Sequence, residues 1–279
     1  MEAAMPVNGT TVVRRQLGRR LRRLREEAGK TVVDVESAKL ASTVKLWRIE
    51  TGKTPVKIND IWALCRLYGA DDKTTDTLTA LATGTNEQGW WENYSDVMGA
   101  GLALYIGLEE AADGLRSYEA ELVHGLFQTA DYFRAVSRAA RPTSEENAIE
   151  RRITLRLERQ RAVLSRSQPP QITAVLNMAV LARQVGGPEV MATQIRHLHE
   201  LAALDHIDIR ILPWDAGAHA AMAGSFAILD FDDPDDPAVV HAESHTGARY
   251  VEQPAKVDEY REIFSAIQEN TRPIEEYPP

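Results

Sequence analysis

Cysteine is almost absent: Cys65 is the only one in 279 residues. One thiol allows no internal disulfide and no cysteine-built zinc centre. Long apolar runs are missing too. Charge-free stretches such as Ala216–Leu229 and Val97–Leu108 fall short of the ~20 residues that a membrane-spanning helix needs. Residues Met1–Thr10 are acidic and polar, without the basic start and apolar stretch of a signal peptide. These absences lead to the expectation of a cytoplasmic protein. Catalytic signatures are lacking as well: no His-Glu-x-x-His, no Gly-x-Ser-x-Gly and no cysteine-centred nucleophile occurs. No enzyme, catalytic residue, cofactor or metal is therefore expected.

Positive charge is scarce overall, with 32 Lys and Arg against 41 Asp and Glu, a formal net of −9. That total argues against a nucleic-acid partner, because phosphate attracts a basic surface. Its distribution argues the other way. Residues 11–69 hold 14 basic and 6 acidic side chains, a net of +8, while residues 70–279 hold 18 and 34, a net of −16. A short basic module stands before a long acidic one.

Within the basic module Val13, Leu17, Leu21, Leu24 and Ala28 recur at helical spacing, so they line one face. Arg14, Arg15, Arg19, Arg20, Arg22, Arg23 and Arg25 occupy the others, either as a phosphate-binding row or as a solvated face. Gly29 is placed to stop this helix. Thr31 with Asp34 resembles a capping box for a short helix to about Ala38, and Ser42 is placed to cap the next, through Glu50. Further helices are expected around Ile61–Tyr68 and from Lys73 to Ala82. The helices at 31–38 and 42–50 have the lengths and intervening turn of a helix-turn-helix, whose second helix enters the major groove. If Leu46 and Ile49 point inward, Thr43, Val44, Lys45, Trp47 and Arg48 face outward. Thr43 and Val44 would offer a hydroxyl or methyl to a base, and Lys45 and Arg48 would donate to guanine or phosphate. Trp47 serves equally well as a DNA contact or as a packing residue. Thr31 and Ser42 begin helices whose backbone amides suit phosphate, and Lys30, Lys53 and Lys57 flank them as sequence-independent contacts.

Beyond residue 82 the pattern changes. Thr83–Asp96 reads as a linker whose Trp90 and Trp91 dock on one of the domains. Tyr105–Arg138 and Ser144–Ser165 look helical, the latter with Ile153, Leu157, Val163 and Leu164 as its apolar side. This Arg/Glu-rich helix is either a charge-laced surface helix or a dimer or partner face. Gln171–Asn177 is strand-like, Met178–Gln184 either continues it or turns helical, and Gly186-Gly187-Pro188 opens a helix to about Leu204. Strands follow at Ile207–Leu212, Ser225–Phe231, Val239–Glu243 and Arg249–Val251. A last helix spans Ala255–Gln268, and the tail looks loose. The expected fold class is α+β: an N-terminal all-α helix-turn-helix domain (11–82), a linker (83–104), and a C-terminal domain (105–270) of helices and a small, mostly antiparallel sheet.

Several patterns imitate chemistry. Gly29-Lys30-Thr31 and Gly52-Lys53-Thr54 resemble the end of a phosphate-binding loop, but Leu24 and Trp47 stand where its earlier glycine belongs. His241, Glu243 and His245 on one strand would spread over ~13 Å, too wide for zinc. Asp232–Pro237 lacks the glycine and final glutamate of a calcium loop and reads as a turn. The stretch Ala216–Leu229, with His219 and Met222, is either core or the lining of a ligand pocket.

Leu17-Gly18, Arg22-Arg23-Leu24-Arg25, Ala28-Gly29 and Arg48-Ile49-Glu50-Thr51-Gly52 resemble the phage-repressor (Xre/Cro) helix-turn-helix. Tyr105-Ile106-Gly107-Leu108-Glu109, Gly125-Leu126-Phe127-Gln128-Thr129, Arg156-x-x-Arg159-Gln160, Gly186-Gly187-Pro188, Leu212-Pro213-Trp214 and Gly217-Ala218-His219 resemble the C-terminal domain of actinobacterial WhiJ-like, antitoxin-like transcriptional regulators. The resemblance implies a regulator that binds double-stranded DNA as a homodimer, with a small acidic partner protein modulating binding. The chain departs from that pattern at Val32 and Val33, where a polar residue is usual. It departs again at Trp47, where a small serine is usual, and at Asn177-Met178, where an acidic pair stands in the family. Two other readings remain: an antitoxin-like protein that binds a small partner and autoregulates its operon, and a small-molecule-sensing C-terminal domain.

Overall fold

In the basic module Gly29, the Thr31–Asp34 pair and Ser42 mark where helices end and begin. A computed structural model of the protein describes residues 10–52, 54–86, 90–94, 96–98, 102–232, 237–245 and 247–278. Lys53, Gly89 and Asp233–Asp236 lie outside the described residues, as do the side chains of Val13, Arg15, Leu81 and Trp90. The chain divides into two compact units. The first holds the described residues of 10–94 and 102–108, the second those of 96–98, 109–232 and 237–278.

The first unit contains α1 (Thr10–Glu27), α2 (Val32–Ser37), α3 (Thr43–Glu50), α4 (Ile58–Tyr68) and α5 (Asp72–Asn86). Gly29 takes φ 63°, the left-handed conformation that glycine reaches without a side-chain clash, and so ends α1. Thr31 and Asp34 form a reciprocal capping box on α2, and Ser42 Oγ accepts from Lys45 N at 3.3 Å to cap α3. Leu17, Leu21, Val35, Leu46, Ile49, Ile61, Leu64, Cys65 and Tyr68 form the buried core of this unit. Helix α5 runs on to Asn86, past the expected end at Ala82, and a 3-10 turn follows at Trp90–Tyr94. Trp91 is buried, and a Cβ on Gly107 would lie 3.9 Å from its ring.

After α6 (Leu102–Ala111), the remaining elements are β1 (Gly114–Glu119), α7 (Ala130–Ala140), α8 (Glu146–Leu164), β2 (Gln171–Asn177), α9 (Met178–Ala182), α10 (Pro188–Ala202), β3 (Ile207–Leu212), β4 (Phe226–Asp230), β5 (Val239–Ser244), β6 (Gly247–Val251), α11 (Pro254–Gln268) and β7 (Arg272–Pro273). Among the described residues the strands form one seven-stranded sheet in the order β6-β5-β4-β1-β2-β3-β7. β1, β2 and β3 run parallel and the other pairings are antiparallel. The α+β class therefore stands, but the sheet is larger and mixed rather than small and antiparallel.

Two sequence expectations account for the difference. Tyr105–Arg138 was expected as one helical stretch, yet Gly114–Glu119 is the central strand, paired with β2 on one side and β4 on the other. Only Leu115 and Tyr118 are apolar in this strand, so local patterning does not mark it. The tail is not loose either. Residues 272–273 pair with β3, Ile274 is fully buried, and Arg210 Nε donates to Thr271 Oγ1 at 2.6 Å. Parallel neighbours require crossovers, supplied by α7 and α8 between β1 and β2, and by α9 and α10 between β2 and β3. Met178–Ala182 is thus helical, started by Asn177 Oδ1 accepting from Ala179 N at 3.0 Å.

One sheet face packs under α11, where Tyr118, Val175, Leu212, Phe226, Ile228 and Val240 meet Val257, Phe264 and Ile267. Asp230 fastens α11 to that face by accepting from Arg116 and, at 2.8 Å, from Arg261 Nη2. Strand alternation turns Leu115, Ser117 and Glu119 to the opposite side, in register with Ala227 and His241. On α8 the buried residues are Ile149, Ile153, Leu155, Arg159 and Val163, while Leu157 is exposed. The buried arc turns toward Leu155 and Arg159 and leaves Leu157 on its rim. The charges of α8 pair with other elements, Arg134 with Glu150, Arg138 with Glu146 and Arg151 with Asp96.

Candidate nucleic-acid interface

Helix α3 is set against α1 by a close approach and an ion pair. A Cβ on Gly18 would stand 2.4 Å from the Ile49 carbonyl oxygen and 2.8 Å from that of Glu50. Both are backbone atoms that cannot turn aside, so only glycine lets α1 cross the end of α3 this closely. Seven residues along, Arg25 reaches Glu50 with both arms of its guanidinium, Nε to Oε1 at 2.7 Å and Nη2 to Oε2 at 3.0 Å, and Nη1 donates to the Lys30 carbonyl at 3.0 Å. Arg25 thereby ties α1 to the end of α3 and to the turn before α2. It is buried, which removes it from the expected outward row of arginines. Arg22 and Arg23 pair with Glu26 and Glu27 one turn on, each at 2.8 Å.

The expected register of α3 is present. Leu46 and Ile49 are buried, and Thr43, Val44, Lys45, Trp47 and Arg48 are exposed. The flanks of the exposed face are occupied by carboxylates. Thr43 Oγ1 donates to Glu36 Oε2 on α2 at 2.9 Å, and Lys45 Nζ donates to Asp60 Oδ2 on α4 at 2.8 Å. These acidic partners come from two other helices, and no local spacing in the sequence signals them. Thr31 and Ser42 both serve as helix caps. Lys30 is half-buried, and Lys57 is exposed in front of α4. The two imitations of a phosphate loop are helix ends, Gly29 after α1 and Gly52 (φ 67°) after α3.

A two-helix element of this shape, built on a basic module with its second helix turned outward, is that of a DNA-binding regulator of the helix-turn-helix class. Residues 16–78 match the family described as a helix-turn-helix domain. Residues 102–276 match the family described as a domain of unknown function (DUF5753), and the chain belongs to that family. No curated protein and no solved structure matches the chain. No helix of the described residues is long and apolar enough to cross a membrane, and no group of three His, Cys, Asp or Glu among them is arranged to hold a metal ion.

The motifs of the second half meet one another. Arg159 pairs with Glu109, Nη2 to Oε1 at 2.7 Å, with both side chains buried. Gln160 Nε2 donates to the carbonyls of Gly125 and Gln128 at 3.0 and 2.8 Å. Gln194 on α10 donates to the Phe127 carbonyl at 2.7 Å and accepts from Thr129 N at 2.8 Å. The segment 125–129 is therefore held by amide side chains from two helices, which is a structural use of the motif.

Beside it, Glu119 Oε1 lies 4.0 Å from His124 Nε2. Burial, with Glu243 adding to it and Arg159 opposing, pushes the Glu119 carboxyl up to about 8. Burial also drives the His124 imidazole well below its ordinary range, helped by Arg159, Arg156 and His241, and takes His241 down to about 4. From the ordinary carboxyl value of 4.5 up to about 8, the folded state keeps a proton that the unfolded chain has lost, so stability falls as pH rises. The histidines act in the other direction. Below 6.5 the unfolded chain takes up protons that the folded state refuses, so stability falls as pH drops. The second unit is thus expected to be most stable near pH 6.5 and to lose about 2 kcal/mol by pH 8. Urea unfolding at pH 6.5 and 8.5 measures this. Glu119→Gln should remove most of the alkaline loss, and an unchanged loss in that variant would place its origin elsewhere.

Proposed function

We propose that the chain is a sequence-specific transcriptional regulator of Xre/Cro type that acts as a dimer, with the second unit serving dimerisation and regulation. The observation that carries this reading is the outward face of α3, held by Gly18 and by the Arg25–Glu50 pair within a module of net charge +8. The sequence divides into a DNA-binding domain over 11–82, a linker over 83–104 and a regulatory domain over 105–270. In a symmetric dimer the two recognition helices would lie one or more turns of B-DNA apart, ~34 Å for a single turn. The acidic remainder, at −16, is repelled by phosphate and favours docking through the basic unit alone. The resemblance to WhiJ-like, antitoxin-like regulators supports a small acidic protein as the partner of the second unit. This reading assigns a cytoplasmic, non-enzymatic role.

Fluorescence anisotropy on duplexes from the gene's own upstream region tests it. Arg48→Ala should cost about 1–3 kcal/mol on the preferred site and relax discrimination there, whereas Lys57→Ala should weaken all sequences alike and lower the salt slope by about one. Absence of any DNA affinity at low salt would end the proposal.

A further inference from the structure

The exposed side of α3 is less polar at its centre than at its edges. Successive residues of an α-helix turn by about 100°. With Leu46 and Ile49 marking the buried direction, Val44, Trp47 and Arg48 fall within about 50° of the direction straight outward. Thr43 and Lys45 fall about 90° and 110° from it, on the two flanks. Those flanks are also where the carboxylates sit, Glu36 holding Thr43 and Asp60 holding Lys45. The residues most exposed to a facing partner are therefore two apolar side chains and one arginine. Val44 is 58% and Trp47 51% exposed, and three residues apart on a helix they are neighbours on one face.

We propose that α3 reads the C5-methyl groups of thymine through Val44 and Trp47, while Arg48 supplies the polar contact and the Glu36–Thr43 and Asp60–Lys45 pairs close off the edges. This inference rests on the DNA-binding reading and specifies the bases it selects. In the major groove the thymine methyl is the one apolar group on a base edge, so an apolar pair at the centre of a recognition helix has it as a natural counterpart. Arg48 on the face and the net charge of +8 over residues 11–69 complement a duplex rather than an apolar protein partner. The flanking carboxylates hold the lysine and threonine side chains in place and repel phosphate that approaches the edges out of register. The selected half-site is then centred on A·T pairs, with guanine placed to meet Arg48.

The test begins by selecting duplexes from a random pool with the full-length protein, then replacing each thymine of the selected site by deoxyuridine, which removes only the methyl. Uracil at the contacted steps is expected to weaken the wild-type protein about fourfold per methyl lost. Val44→Ser and Trp47→Ala should bind the thymine site more weakly and lose their sensitivity to uracil at the step each one contacts. Both side chains are exposed, and an unchanged unfolding midpoint verifies that the fold survives. Equal binding of thymine and uracil duplexes by the wild-type protein overturns methyl reading while leaving DNA binding intact. Full uracil sensitivity retained in both variants overturns the assignment to Val44 and Trp47. A pool that yields no enriched duplex, with no binding at low salt, overturns the DNA-binding reading itself.

Discussion

Arg159→Met is expected to destabilise the second unit by about 3–5 kcal/mol. Methionine retains much of the arginine's stem and packing volume, so the loss is electrostatic. Glu109 is wholly buried and faces Arg159 across a two-pronged contact. Without the guanidinium it must either hold an unpaired charge in a low-dielectric interior or take up a proton. Arg159 also stands beside Gly125, at the turn whose carbonyls Gln160 holds, so the loss reaches the segment between β1 and α7. Urea unfolding followed in the second unit measures the cost. The double variant Arg159→Met with Glu109→Leu should recover most of it, because replacing both members of a buried pair by apolar groups avoids the stranded charge. A single-variant cost below about 1 kcal/mol would show that water reaches Glu109 and that the pair is not a buried anchor.

Arg25→Met should have an effect of the same order in the first unit, about 3–5 kcal/mol, with a second consequence for DNA. Glu50 is the last residue of α3, and Arg25 is its bidentate partner from α1. Removing that partner strands the Glu50 carboxylate, frees the end of the recognition helix from α1, and breaks the Arg25 bond to the Lys30 carbonyl in the turn before α2. Even where the variant remains folded, specific DNA affinity should fall by about 1–3 kcal/mol, the worth of one displaced base contact. Arg25→Lys should not restore it, because an ammonium lacks the planar fork that meets both carboxylate oxygens and the carbonyl together. Unfolding curves combined with anisotropy on the selected site separate the two effects. Wild-type affinity in a folded Arg25→Met protein would show that α3 is positioned by its apolar contacts alone.

The helix-turn-helix was legible because its signals are local. Thr31 with Asp34, Ser42, Gly29 and Gly52 act within a few residues of themselves, and the spacing of Leu46 and Ile49 sets which side of α3 is outward. The second unit was legible wherever a strand carried its own alternation or apolar run, as in Ile207–Leu212 and Val239–Ser244. Local pattern does not mark the strands at Gly114–Glu119 and in the tail. Both are polar segments whose strand character comes from neighbours distant in sequence: β2 and β4 for the first, β3 for the second. Helical spacing likewise turns the arginines of α1 outward, and for Arg25 only the position of Glu50, 25 residues away, decides otherwise.

The sequence by itself determined the division into a basic head and an acidic body, the end of α1, the boundaries of α2 and α3, and the face that α3 presents. Those follow from charge counting, from capping and from a 3.6-residue period, all of which act over short distances. The mixed sheet with β1 at its centre, the burial of Arg25 and Arg159, and the capture of Thr43 and Lys45 by Glu36 and Asp60 were decided by tertiary structure alone. Each depends on groups brought together from separate elements, and the stability of a buried charge or an unpatterned strand is set by the partner that the fold places opposite it.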